Sequence, residues 1–230
     1  MDLWFLALVG IILFALLTLC RRWFDYSMLF TFAIGFAVNA NIYNSLSAPV
    51  HFYKLIFAID SILYTGFAFT VIICTKEYGA KKAKILTLSA IAAVLLSAVI
   101  ELLAYISAFG FDIEYIKTFF GYIASAVGTF IGIWVMLYIF EKMMNKNMNL
   151  YLSVFICVLI SSIINSSIYY GYALLTMIDH SKFIYILLGS YIGKLYAIVL
   201  GLISYAINRN LWIPKDLKEK DVVEAGGNYV

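Results

Sequence analysis

The chain has 230 residues, 64% of them hydrophobic and only 13% charged, with a formal net charge of +3. A soluble domain of this length has too little interior to bury that much apolar surface, so a soluble globular fold is excluded. With two prolines in the whole chain, the apolar runs reach the length of about 20 residues that matches a hydrocarbon core, and the expected fold is an all-α polytopic transmembrane bundle.

Charges taken as boundaries divide the chain into spans at 3–20, 26–45, 54–75, 85–109, 118–140, 150–177 and 183–207. The first run is preceded by Asp2 rather than a basic segment and closes on Arg21 and Arg22 rather than on a cleavage site, so it reads as a retained helix, not a signal peptide. Residues 1–208 then form one membrane domain, and 209–230 form a polar, disordered tail. The first, third and fifth loops and the tail hold twelve Lys and Arg residues, against three (Lys54, Lys117 and Lys182) in the other loops. This bias places the N-terminus outside and the C-terminus in the cytoplasm, in the plasma membrane and, for a bacterium, the inner membrane. The positive charge is a topology signal that also suits anionic lipid, and no nucleic-acid partner follows from it.

Small residues recur every four positions in the fifth span, at Ala124, Gly128 and Gly132, and more weakly at Ala33 and Ala37 in the second. Such strips let helix backbones approach closely, and packing is their expected use. The cysteines Cys20, Cys74 and Cys157 lack metal-ligand spacing and read as packing residues. His51 and His180 fall in outer loops without a ligand partner. Neither a phosphate-binding glycine loop nor a nucleophile elbow occurs, so no enzyme activity, metal or other cofactor is expected.

Ionisable groups inside spanning helices are costly and mark a pathway, a site or a structural pair. Three are present: Asp60, Glu101 and Lys194. Amides and hydroxyls join them, with Asn39 and Asn41 in the second span and Ser162, Asn165, Ser166 and Tyr169 on one face of the sixth. With a rise of about 1.5 Å per residue, Asn41, Asp60, Glu101 and Asn165 fall roughly 20–24 Å above the cytoplasmic ends, and Lys194 lies about 17 Å below the outer end of its helix. The expectation is an outward-leaning polar chamber with Lys194 as its floor, paired with Asp60 or Glu101. Tyr64 and Tyr169 are placed to stack on a flat ligand. The competing reading is a buried ion pair that only locks the bundle.

Several segments resemble the vitamin uptake transporter family, whose characterised members import queuosine precursors and which is similar to the substrate-binding subunits of energy-coupling-factor transporters. The resemblance covers about residues 26–208 and leaves the first span as an addition. It rests on Val38-Asn39-Ala40-Asn41-Ile42-Tyr43, on Glu77-Tyr78-Gly79 with the Ala–Lys run to Lys84, on Tyr122-Ile123-Ala124-Ser125-Ala126 followed by Phe130-Ile131-Gly132, on the stretch from Ile160 to Ser167, and on Tyr191-Ile192-Gly193-Lys194. Ile133, Met136 and Ser166 or Ser167 stand where the family carries an amide or an acid. The resemblance implies uptake of a small planar polar solute, a 7-deazaguanine or a vitamin. It also leaves open whether an energising ATPase complex or protons drive that uptake. Two rival readings are a retinal-binding seven-helix photoreceptor, with Lys194 as Schiff base and Asp60 as counter-ion, and a structural or sensory membrane subunit that transports nothing.

Overall fold

The computed structural model of the chain describes residue 12 and residues 26–46, 50–52, 55–57, 60–176 and 180–212. Within them are six helices: α1 (Tyr26–Leu46), α2 (Asp60–Tyr78), α3 (Ala80–Phe109), α4 (Ile113–Asn145), α5 (Leu150–Thr176) and α6 (His180–Trp212). A small antiparallel hairpin, β1 (Val50–Phe52) with β2 (Leu55–Phe57), joins α1 to α2, and Val50 faces Phe57 across it. The expected all-helical architecture thus gains one two-stranded element. The expected 3–20 span and the tail beyond Trp212 lie outside the described residues.

Breaks between the helices have local causes. Gly79 alone separates α2 from α3 at φ 83°, a left-handed conformation open to glycine at little cost. Gly110 adopts the same φ after α3. Asp112 then caps α4, its carboxylate accepting from the Glu114 N–H at 3.0 Å. Asn149 caps α5, its side-chain oxygen accepting from the Tyr151 and Leu152 N–H groups.

Four helices, α3, α4, α5 and the 183–204 part of α6, are long and apolar enough to cross a membrane. Their exposed surface is apolar too. On α3 the exposed large residues run from Ile85 to Phe109 and on α6 from Ile184 to Ile203, heights of about 36 and 28 Å at helical rise, against the roughly 30 Å of a hydrocarbon core. Lys81 and Lys82 lie beyond one end of this belt and Glu114 beyond the other.

The remaining two helices differ: α1 exposes Ser27, Thr31 and Asn39, whereas α2 is interior. Every residue of α2 from 61 to 75 is buried, and α2 touches each of the other five helices. Because protein rather than lipid surrounds it, α2 tolerates Thr65, Thr70 and Thr75, whose hydroxyls return to the carbonyls of Ser61, Gly66 and Val71. The third expected span therefore differs from the observed helix: residues 55–57 are strand, and the helix runs from Asp60 to Tyr78.

The small-residue strip of α4 is the seat of α5. A Cβ on Gly132 would lie 2.8 Å from the Ser161 carbonyl oxygen, and one on Gly128 would lie 3.1 Å from that of Asn165. On α1, Ala33 and Ala37 are buried while Gly35 faces open space.

Candidate functional site

Lys194 is only 2% exposed in the middle of α6. Its ammonium donates to Asn165 Oδ1 at 2.9 Å and to Ser166 Oγ at 2.7 Å, both on α5, and lies 4.6 Å from the centroid of the Tyr64 ring on α2. Two neutral acceptors and an aromatic face are thus among the groups that stabilise the cation.

The partners are themselves held in place. Asn165 donates through Nδ2 to Thr129 Oγ1 at 3.0 Å and more weakly to the Ser125 carbonyl at 3.4 Å, both on α4. The Tyr64 hydroxyl lies 2.6 Å from Ser161 Oγ and 3.2 Å from the Ser161 carbonyl, at the point where Gly132 lets α4 and α5 meet. The Asn165 amide has both of its N–H groups engaged and its oxygen on Lys194, so its orientation is determined by its neighbours. Ser162 and Ser190, each one turn from a member of the cluster, keep buried hydroxyl oxygens without a hydrogen-bond partner among the described residues.

A cavity opens beside this cluster, lined by Ala37 and Ala40 of α1, Tyr64 and Phe67 of α2, Val94 of α3, and Ser125, Thr129 and Asn165 among others. About 30 Å³ of it is open to the centre of a water molecule. A single water needs about 10–15 Å³ on that measure, so this conformation admits a water or two and no ring. Tyr64 and Asn165 are shared by the cavity and the lysine cluster.

Of the residues expected to line one chamber, Tyr64, Asn165, Ser166 and Lys194 are brought together. Asn39 is exposed and its amide folds back on the Gly35 carbonyl at 2.7 Å. Tyr169 is half-buried and packs edge-on against Tyr170. The side chains of Asn41 and Asp60 lie outside the described residues, and with them the expected Lys194–Asp60 pair.

Glu101 departs from the expected layer. Its carboxylate accepts from the Tyr122 hydroxyl at 3.3 Å rather than from Lys194. The reason is where α3 begins. The helix starts at Ala80 rather than 85, so Glu101 stands about 31 Å along it, against about 22 Å for Asn165 along α5. Its partner on α4, Tyr122, is correspondingly three residues nearer the start of that helix than Ser125 and seven nearer than Thr129.

Thr129 and Tyr122 are the polar residues missing from the expected set. Thr129 had a visible signal, since Ser125 and Thr129 repeat at four-residue spacing directly beside Ala124 and Gly128. Tyr122 opens the family-like stretch Tyr122–Ala126, but nothing in its spacing marked it as a partner of Glu101.

No family model, no curated protein and no solved structure matches the chain.

Proposed function

We propose that the chain is a membrane transporter that takes up a small, flat, polar solute, with Lys194, Asn165, Ser166 and Tyr64 as the heart of its binding site. The observation that carries this reading is a lysine buried at mid-helix in an apolar bundle and connected through Asn165 to a cavity bounded by five helices. Burying an ammonium in an apolar layer is expensive, and such groups cluster on substrate and ion pathways. Ser162 and Ser190 add two hydroxyls with unused bonding capacity beside it. A purine-sized solute is larger than the cavity, so its entry requires the helices around Gly128 and Gly132 to separate.

The finer parts of the proposal are seven spans with the N-terminus outside, membership of the vitamin uptake transporter family, and a 7-deazaguanine or vitamin-like substrate. Their support is the Lys and Arg bias, the exposed apolar belt and the motif resemblance. Energy comes either from protons or from an ATPase complex docked near the Glu77–Lys84 segment.

A second reading, a bundle-locking polar cluster without transport, is favoured by one observation: Asn165, Thr129, Ser161 and Tyr64 satisfy one another. The retinal reading is disfavoured, because the Lys194 ammonium is enclosed by side chains and the neighbouring cavity is too small for a polyene.

Binding by the detergent-purified full chain separates these readings. A labelled panel of 7-deazaguanines, purines and vitamins is the probe, with Lys194→Ala and Asn165→Ala as variants. Saturable binding that weakens about tenfold or more in both variants, the scale of one or two lost charge-assisted hydrogen bonds, is the expected result. If folded wild-type protein binds nothing while both variants only lose thermal stability, the locking reading replaces the transporter.

A further inference from the structure

Glu101 has no place in the lysine cluster, yet it is a carboxyl inside an apolar helix. Along α3 the buried positions are Ala83, Leu86, Thr87, Ala90, Val94 and Ala98, and Glu101 and Tyr105 continue the same stripe at spacings of three and four. Its neighbours Ile100 and Leu103 are exposed on the apolar belt. Glu101 therefore faces α4 within the lipid-facing height of the bundle, about 12 Å inward of the last residue of α3. Two turns further in on the same face is Val94, which lines the cavity, and one turn inward of Tyr122 are Ser125 and Ala126, which also line it.

Among the described residues, the groups that hydrogen-bond to Glu101 are neutral. Tyr122 donates to its carboxylate, and Tyr115 donates to its backbone carbonyl at 3.5 Å. Tyr105 stacks on Tyr115 with ring centroids 3.7 Å apart and donates to the Asp112 carboxylate at 3.1 Å. Among the described residues no Lys or Arg pairs with Glu101, and α1 and α2, which also pack on α3, contribute no hydrogen bond or ion pair to it. From Asp112 in the outer loop, then, three tyrosine hydroxyls accompany the α3–α4 seam down to one carboxyl that stands above the cavity.

We infer that Glu101 is a proton-binding site on the outer approach to the cavity, with Tyr122 as its hydrogen-bonding partner. A carboxylate without a cation is costly in an apolar layer, and a proton is the one ligand that neutralises it without further side chains. The hydroxyls of Tyr105 and Tyr115 and the Asp112 carboxylate provide polar stepping points from the loop. The inference rests on the transporter reading for its purpose, since a proton bound above the solute cavity is positioned to couple the two movements. It names protons rather than a docked ATPase complex as the driving agent.

The test needs no solute. The full chain is reconstituted in lipid vesicles and treated with dicyclohexylcarbodiimide, an apolar reagent. The protonated carboxyl adds across its N=C=N unit and the adduct rearranges to a stable N-acylurea with no atom lost. Mass spectrometry of peptides locates and quantifies the adduct between about pH 5 and pH 9. The expected result is an adduct on Glu101 that falls about tenfold or more across that range and is absent from folded Glu101→Gln protein. An adduct of unchanging yield overturns the inference, because the carboxyl is then permanently protonated and structural. Absence of any adduct on Glu101 in folded protein overturns it as well. A pH-dependent adduct in protein that binds no member of the solute panel leaves the proton site standing and removes the solute reading alone.

Discussion

At the scale of single residues, the tightest constraints lie where α4 and α5 meet. Gly132→Ala puts a methyl group 2.8 Å from a backbone carbonyl that cannot rotate away, so the helices must part there at a cost of about 1–3 kcal/mol. Gly171, on the exposed side of α5, has nothing within 4 Å of its Cβ direction, and Gly171→Ala is expected to be neutral or to stabilise by up to about 1 kcal/mol through helix propensity. Thermal unfolding of the two variants in the same detergent checks the contrast, and equal melting points contradict the close approach. Lys194 and Asn165 were legible because a charge and an amide in apolar runs stand out from composition alone. Their hydrogen bond to each other was not, since the sequence offered Asp60 and Glu101 as counter-charges and contained no indication that Asn165 Oδ1 and Ser166 Oγ would accept from the ammonium.

Helix positions were read to within about five residues, and the discrepancies have consequences. Charges marked the ends of apolar runs, but α3 and α4 continue past them: α3 carries Lys81, Lys82 and Lys84 inside its first turns, and α4 carries Lys142 inside its last. Lys82 lies over the rings of Tyr26 and Tyr78, and Lys84 over Trp134, so long side chains reach outward while the backbone stays helical. That extension moved Glu101 out of the layer of Asn165. The ends themselves are governed by short-range chemistry. Asn149→Ala removes the acceptor for two N–H groups of α5 and is expected to cost about 1 kcal/mol, whereas Asn149→Asp or Asn149→Ser preserves most of it. Gly110→Ala, at φ 83°, is expected to cost about 1–2 kcal/mol from the left-handed backbone alone. Chemical denaturation in micelles reads both, and an unaltered midpoint in Asn149→Ala contradicts the cap.

On the scale of the whole molecule, the proposed topology, which rests on the exposed apolar belt and the Lys–Arg bias, makes a prediction about which loops share a side of the membrane. Phe111→Cys, in the turn between α3 and α4, is expected to react with a membrane-impermeant maleimide in intact cells. Asn147→Cys, in the turn between α4 and α5, is expected to react only after permeabilisation. The native Cys74 and Cys157 are buried and give little background. Labelling of both engineered sites from the same side contradicts a crossing by α4, and the reverse pattern contradicts an outside N-terminus.

Composition by itself determined that this chain suits a bilayer, because an apolar fraction of 64% is more than a soluble domain of this length ordinarily carries, and local residue order determined where backbones break or approach, because caps, left-handed glycines and small-residue strips act over a few residues. Which helix is central, and which polar groups meet, was decided only by the tertiary structure. Hydropathy ranks α2 below the four most apolar helices, yet it is the one sealed on every side, since a helix surrounded by protein need not be apolar enough for lipid. Glu101 and Asn165 parted for a related reason: the depth of a side chain depends on where its own helix starts and on which turn of the neighbouring helix it faces, and both are properties of the packed bundle.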